Sequence, residues 1–415
     1  MSTSIRFKLS FMMFLEFFIW GAWFVTLGTF LIQNLQASEF ERANVFSTQS
    51  LGAIIAPFII GMIADRYFNA ERILGILHIA GAFLMYQMYS ATDMTVFYPY
   101  VLSYMILYMP TLSLANSISF RQLANPEKQF SAIRVWGTIG WIAAGLAISF
   151  MFQWDSAENA AGGALKNTFL MAGIASLILG LFSFILPKTP PVKSKEGDEK
   201  PSFASIIGLD AIKLLKDKNF LVFFISSILI CIPLAFYYAN ANPFLSEIGL
   251  ANPTAKMTIG QMSEAAFLLL LPLFFTKFGF KKTILIGMVA WVVRYLLFAY
   301  GNAGDLSFML IIGIALHGIC YDFFFVSGQI YTDSKAGVKY KNAAQGLITL
   351  ATYGVGQLIG FWVAGFVGEQ YQDLKATDVA GFWQHTWVVP AGIAFIVMII
   401  FLVLFKDEKV ESKTV

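Results

Sequence analysis

Five ionisable side chains stand inside stretches that are otherwise almost wholly apolar. They are Glu16 in "FLEFFIWGAW", Arg134 in "IRVWGTIGW", Glu264 in "GQMSEAAFLLLLP", Arg294 in "AWVVRYLLFAYG" and Asp322 in "HGICYDFFF". A charge at the centre of an apolar span costs about 3 kcal/mol or more unless it faces a cavity or a partner, so each one marks a candidate site. The chemistry on offer is of two kinds. Carboxyls can take a proton from one side of a barrier and release it to the other as their surroundings change, and a guanidinium offers a flat fork of donors to a polar ligand.

The neighbours of these groups sharpen the reading. Arg134, Thr138 and Trp141 fall at i, i+4 and i+7 and share one helix face, which suits a ligand with both hydroxyls and a ring. The structural alternative has Arg134 reaching to the inner interface and Trp141 as plain packing. Gln261 and Glu264 are three apart and again share a face, where an amide and a carboxylate can read a polar ligand. Alternatively Glu264 neutralises Arg294 or Arg134. His317 and Tyr321 are i and i+4, with Asp322 one residue further round. Asp322 reads as a proton carrier, with a permanent ion pair to Arg294 as the alternative. Glu16 either lines the same cavity as a second proton site or reaches water near the cytoplasmic end of its span. His78 reads as a hydrogen-bonded packing residue and His385 as a residue of the outer interface.

These side chains need helices to position them, and the composition says which kind. Of 415 residues, 58% are hydrophobic, only 13% are charged, and 42 are phenylalanine. That balance leaves too little polar surface to cover a soluble globule and points to a lipid bilayer as solvent. Apolar runs able to cross about 30 Å of hydrocarbon recur along the chain, and the alternating pattern of a membrane barrel is absent. Twelve spans are predicted, at 8–35, 44–64, 72–91, 95–119, 132–153, 166–187, 219–246, 256–276, 283–300, 306–332, 341–369 and 383–405. The first holds Glu16, is too long for a cleaved signal peptide and lacks a small-residue cleavage site.

Lysine and arginine set the orientation. With the N-terminus inside, the outer loops hold only Arg42, Lys166, Lys256 and Lys375 of the 28 basic residues, so both termini are expected in the cytoplasm of a bacterial inner membrane. The net charge of +3 reflects this bias and gives no reason to expect a nucleic-acid partner. Cys231 and Cys320 both fall in spans, which favours buried thiols over a disulfide. Three scattered histidines give no metal-ligand spacing, so no metal or other cofactor is expected.

The segment "KTPPVKSKEGDEKPS" reads as a flexible cytoplasmic linker dividing six spans from six. The expected organisation is an N-terminal six-helix bundle over 1–187, a linker over 188–218, and a C-terminal six-helix bundle over 219–415. Within the linker, "FASIIGLDAIKLLKDKN" is either a short amphipathic helix on the inner face or a lead-in to the seventh span. Six plus six spans is the layout of carriers that hold substrate between two bundles near the midplane. Between the second and third spans, "GMIADRYFNAER" resembles the loop signature of the major facilitator superfamily, with Gly61, Asp65, Arg66 and Arg72 in place and Asn69 near the second glycine position. Asp65 there can form a contact that holds in one carrier state and breaks in the other; the alternative is an ordinary helix-end charge pair.

The stretches "WGAWFVTLGTF", "YMPTLSLANSISF", "IRVWGTIGW", "GLDA", "QMSEAAF", "AWVVRYLLFAYG", "YDFFFVSG" and "AAQGL" together resemble the bacterial nucleoside:proton symporters of the major facilitator superfamily, over nearly the whole chain. The resemblance implies a substrate site built from Arg134, Thr138 and Trp141 on the N-terminal bundle, completed by Gln261, Glu264, His317 and Tyr321. It implies an aspartate tied to binding and proton coupling at Asp322. The chain departs from the family pattern, which has an amide at Glu16, a phenylalanine or similar ring at Trp141 and a tyrosine at His317. The pattern also places polar amides in the seventh span where Ala235 and Tyr238 stand, which makes Tyr238 the substrate candidate there.

The expectation is therefore an all-α membrane protein of twelve helices in two bundles, importing a nucleoside with protons as coupling ion by alternating access. Trp141 and Tyr321 would stack on the base. Arg134, Gln261 and Glu264 would hydrogen-bond the ribose or base edge, and Asp322, with Glu264 or Glu16, would carry the proton. The same fold carrying a sugar or another small polar metabolite is the nearer alternative. A membrane enzyme using Asp322, His317 and Glu264 as acid and base is the further one, and no nucleophile motif or metal set accompanies those residues. A monomer needs no further assumption.

Overall fold

A computed structural model describes residues 2–59, 68–123, 129–190 and 209–406, apart from the side chains of 57–59, 209–210 and 338–342. Every element among the described residues is helical. The long helices are α1 (Thr3–Gln33), α2 (Glu39–Ile59), α3 (Ala70–Ser90), α4 (Met94–Gln122), α5 (Ser131–Met151), α6 (Ala164–Ser183), α7 (Lys218–Glu247), α8 (Pro253–Tyr300), α9 (Ser307–Gly337), α10 (Ala343–Gln370) and α11 (Val379–Leu404). Over the described residues, ten of these helices are long and apolar enough to cross a membrane. Side chains such as Leu269, Val403, Phe83 and Phe366 lie exposed along them, as lipid-facing residues do.

Helix α8 runs two of the expected spans together. They are separated at Gly279, whose φ of 74° and ψ of 177° break the helix in a region only glycine enters readily. Wide π turns interrupt α5 at Ala147–Met151, α9 at Asp322–Val326 and α10 at Leu350–Gly356. Such turns change the face on which the following side chains emerge.

Two compact units form. One holds Met1–Ala37 and Thr48–Pro201; the other holds Ser38–Ser47 and Ser202–Val415. In the first, α5 packs on α1 so closely that a Cβ on Gly140 would collide with the carbonyl of Phe14. Small residues permit this approach between membrane helices. In the second, α8 packs on α9 and α11, and α7 packs on α10 and α11.

Arg42 departs from its expected place in an outer loop. Helix α2 begins at Glu39, and Arg42 is a helical residue only 1% exposed. It pairs with Glu39 and donates from Nη2 to Asn240 Oδ1 at 2.7 Å and to the Ala239 carbonyl at 3.2 Å. Lys375 extends the cluster, 3.0 Å from Glu247 and 3.6 Å from Glu39. Partners distant in sequence thus let a charged turn join a helix that hydropathy starts later.

The charged stretch before the seventh span forms a 3-10 helix over Leu209–Lys216 in its described part. Ala211 is fully buried with Ala336, Ala344 and Leu347, and Leu214 packs against them. Residues 203–208, most of the linker, and the loop residues Gly61, Asp65 and Arg66 lie outside the described residues. Arg72 stands exposed in the first turn of α3. Beside it, buried Glu71 accepts from the Thr189 amide at 2.8 Å and from Asn69 Nδ2 at 2.9 Å, fixing the chain after α6 to the start of α3.

Candidate functional site

In the first unit the close α1–α5 packing carries Arg134, Thr138 and Trp141, all half-buried. The Arg134 guanidinium carbon lies over the Phe17 ring, 3.9 Å from its centre, a cation–π contact. Trp141 meets Trp20 edge to face at 5.6 Å and 63°, and its backbone lies against Gly21. Trp20 in turn meets Tyr108 at 5.7 Å and 67°. The face predicted from spacing therefore exists, backed by an aromatic wall of which Trp20 and Tyr108 are further members.

Glu16 does not reach water. It is fully buried, and its Oε2 lies 2.9 Å from His78 Nε2. His78 is hydrogen-bonded as expected, but its partner is this carboxylate, from a helix 62 residues away in sequence.

In the second unit Glu264, His317, Tyr321, Asp322 and Arg294 converge. A Cβ on Gly318 would stand 2.5 Å from the Ser263 backbone, so glycine there lets α9 press on α8 and brings Glu264 beside His317. The two side chains face each other at 3.8 Å between Nε2 and Oε2. On its other edge, His317 Nδ1 accepts from Arg294 Nη1 at 3.0 Å. A guanidinium only donates, so the neutral imidazole bears its hydrogen on Nε2, aimed towards Glu264.

Arg294 is itself fully buried, with its guanidinium 3.6 Å from the centre of the Tyr237 ring. Tyr237 stacks near His317 at 5.2 Å, and Tyr321 follows at 5.8 Å. One alternative raised by the sequence fails here: among the described residues Arg294 makes no ion pair with Asp322, and His317 stands between Arg294 and Glu264.

Asp322 opens the π turn of α9, is 1% exposed, and its Oδ2 has no hydrogen-bond partner among the described residues. Glu264 acts on it electrostatically, so two carboxyls share one neighbourhood. Tyr321 hydrogen-bonds through its hydroxyl to Tyr353, and Tyr238 lies within electrostatic reach of both Tyr353 and Glu264. Gln261 sits half-buried one turn before Glu264. Tyr353 was missed from the sequence because it emerges from the π turn of α10, which no helical spacing anticipates. Cys231 and Cys320 are buried free thiols.

The sequence pattern described as "Nucleoside H+ symporter" matches residues 1–410. The chain is 42% identical over 407 residues to the Escherichia coli (strain K12) protein named "Putative nucleoside transporter YegT", covering 97% of this chain and 94% of that one. It is 32% identical over 431 residues to the xanthosine permease of the same organism, covering 99% of each. The crystal structure of nucleoside transporter NupG superposes with a TM-score of 0.85 at 29% identity, over 98% of this chain and all of that one.

Proposed function

The chain belongs to the nucleoside H+ symporter family, and from that membership we infer how its two clusters of polar residues bind a nucleoside and move a proton. It is an all-α membrane carrier that imports nucleosides coupled to protons. The roles of individual residues are the proposal.

In the first unit, Trp141 offers a stacking plane for the base, while Arg134 and Thr138 donate to ribose hydroxyls or a base carbonyl. In the second, Tyr321 and Tyr238 supply aromatic and phenolic surface. Gln261 can both donate and accept, and His317 presents an Nε2–H whose direction Arg294 fixes. Glu264 accepts from ribose hydroxyls or base N–H groups. Asp322 carries the coupling proton, with Glu264 as the neighbouring carboxyl that feels its charge. Proton binding would remove one negative charge from this pair of carboxyls, and release would restore it, so the preferred arrangement of α8 and α9 changes with protonation. This supports alternating exposure of the site to the two membrane faces.

The observation that carries this reading is the buried, unpartnered Oδ2 of Asp322 beside a half-exposed Glu264. Among the described residues no ion pair holds this carboxyl, which a static ion-pair role would require. The distribution of lysine and arginine supports cytoplasmic termini in a bacterial inner membrane. Two six-helix bundles over 1–187 and 219–415, a single-chain carrier, and a conformational role for the loop at Gly61, Asp65, Arg66 and Arg72 complete the proposal. Catalytic chemistry is no part of it.

The test is uptake of labelled uridine, adenosine and inosine into vesicles with and without an inward proton gradient, for the wild type and Asp322→Asn. Gradient-driven accumulation in the wild type, lost in the variant while exchange persists, supports the assignment. Accumulation that persists in Asp322→Asn moves the proton elsewhere. Competition by unlabelled sugars but not nucleosides would transfer the assignment to the sugar alternative.

A further inference from the structure

A second buried carboxyl lies in the first unit, in a network the roles above do not use. Glu16 and His78 are 0% and 2% exposed. Glu16 Oε1 is 2.6 Å from Thr111 Oγ1, its Oε2 is 2.9 Å from His78 Nε2, and its backbone carbonyl accepts from the Tyr108 hydroxyl at 2.7 Å. On the far side of the imidazole, His78 Nδ1 lies 3.0 Å from Ser176 Oγ, and that hydroxyl is also 2.9 Å from the backbone carbonyl of His78.

Counting hydrogens gives this network two states that differ by one proton. A serine hydroxyl has one hydrogen, and Ser176 can give it either to the His78 carbonyl or to Nδ1. Given to the carbonyl, it leaves Ser176 Oγ to accept from Nδ1, and the line from Nε2 to Oε2 then holds one more hydrogen, as imidazolium and carboxylate or as imidazole and carboxylic acid. Given to Nδ1, it leaves a neutral imidazole that donates from Nε2 to the carboxylate, one proton fewer and with the 2.9 Å contact still bonded.

We propose that Glu16 and His78 form a second proton-binding site of the transport cycle, which takes up and releases one shared proton. The inference rests on the symporter reading above and adds to it a site in the first unit, separate from Asp322. Two features favour a working site over fixed packing. Ser176, His78, Glu16 and Thr111 form an unbroken chain of exchangeable hydrogens from α6 through α3 and α1 to α4. The pair also stands directly behind the face assigned to the nucleoside: Tyr108, bonded to Glu16, touches Trp20, and Trp20 touches Trp141.

Loss of the shared proton would turn the Ser176 hydroxyl from the His78 carbonyl to Nδ1 and leave one net negative charge on the pair, beside Tyr108 and two ring contacts from Trp141. The titratable and charged groups facing the pair are Tyr104 and Tyr108 from α4, both of which Glu16 affects electrostatically, and Arg134 from α5, which acts on Tyr108. Helix α6 contributes only the neutral Ser176 to the hydrogen-bonded network.

The experiment measures the proton-to-nucleoside ratio of the full chain in proteoliposomes, by finding the proton gradient that just balances a gradient of labelled uridine. Wild type, Glu16→Gln and His78→Gln are compared. The Glu16→Gln amide can donate to Nε2 and accept from Thr111, so it mimics the protonated carboxyl and keeps the network closed. The ratio is expected to fall by one proton in each variant, and a transporting variant with the wild-type ratio overturns the proposal.

If neither variant transports, the pH dependence of uridine affinity in the Asp322→Asn, Glu264→Gln double variant decides. A residual dependence on one proton supports the second site, and a flat profile overturns it. A wild type that neither binds nor accumulates any nucleoside overturns the transport reading and this inference with it. A wild type that accumulates uridine, beside variants of unchanged ratio, overturns this inference alone.

Discussion

Arg294 donates from Nη1 to Nδ1 of His317 at 3.0 Å, with the two side chains 0% and 3% exposed, and this contact decides which imidazole nitrogen faces Glu264. A buried cation normally marks a buried anion. Here it is held by an aromatic face and a neutral ring, which leaves both Glu264 and Asp322 outside any ion pair with it among the described residues. The arrangement places positive charge close to Glu264 with a neutral imidazole in between. His317 acts as the spacer between them.

His317→Phe tests that spacer. It leaves one Arg294 N–H without its acceptor and Glu264 without its facing donor, a loss expected to cost about 1–3 kcal/mol of stability. The melting temperature in detergent should fall, and nucleoside affinity should weaken by about tenfold if the Nε2–H contributes one ordinary hydrogen bond. An unchanged melting temperature would mean that the Arg294 contact is not made.

Asp322→Asn separates binding from coupling. The amide keeps the size of the side chain and places a neutral group at the start of the π turn, as the protonated acid does. Exchange of labelled for unlabelled nucleoside should persist, while accumulation against a gradient is lost. Asp322→Glu should keep partial coupling, because the titrating group survives at a shifted position. Coupling in the asparagine variant equal to that of wild type would remove Asp322 from the proton path.

Gly318→Ala tests how Glu264 is positioned. The added Cβ would meet the Ser263 backbone at 2.5 Å, and backbone on both sides leaves no flexible side chain to yield. Separation of α8 from α9 is expected to cost about 1–3 kcal/mol. Uptake should fall by more than stability does, because the shift moves Glu264 away from His317. Serial heating and uptake assays on the same preparation distinguish the two effects.

The sequence exposed what is rare in a membrane span and hid what depends on pairing across the fold. Glu16, Arg134, Glu264, Arg294 and Asp322 stood out because ionisable groups are costly in apolar runs, and Arg134, Thr138 and Trp141 aligned because helical spacing is regular. The partner of Glu16 was not legible, since His78 lies on another helix and reads alone as a packing residue. Arg42 was misplaced for the same reason: hydropathy counts its charge but cannot see Glu39 and Asn240 around it. Tyr353 was hidden by a π turn, and the break at Gly279 by an apolar run on both sides.

Trp141 carries a prediction about the base. Trp141→Phe preserves a flat ring against Trp20 and should change nucleoside affinity by less than about threefold. Trp141→Ala removes the ring and should cost about 0.5–1.5 kcal/mol beyond the lost area, a drop of threefold or more. Titration calorimetry with uridine and adenosine reads both variants. Equal affinities for wild type and Trp141→Ala would make Trp141 a packing residue of α1 and α5.

Asp217 gives a pH dependence outside the membrane spans. It caps α7, accepting from the Phe220 amide at 3.0 Å and from Lys335 Nζ at 2.9 Å. Partial burial pushes its carboxyl up, but the Phe220 amide and the Lys335 ammonium outweigh this and hold it below its ordinary value of 3.8. A carboxyl lowered by folding stabilises the folded state above its unfolded value and loses that contribution as pH falls through the folded one. The cap should therefore contribute fully at neutral pH and weaken only in strong acid. Asp217→Ala should cost about 1 kcal/mol at pH 7, a typical loss for an N-cap side chain. Asp217→Asn, which keeps the cap but not the charge, should cost less at pH 7. The gap between the aspartate and asparagine forms should close as pH falls below 3.8. Melting curves of the two variants and the wild type from pH 7 into that acid range measure the difference, and a gap that widens in acid would show that the charge on Asp217 opposes folding.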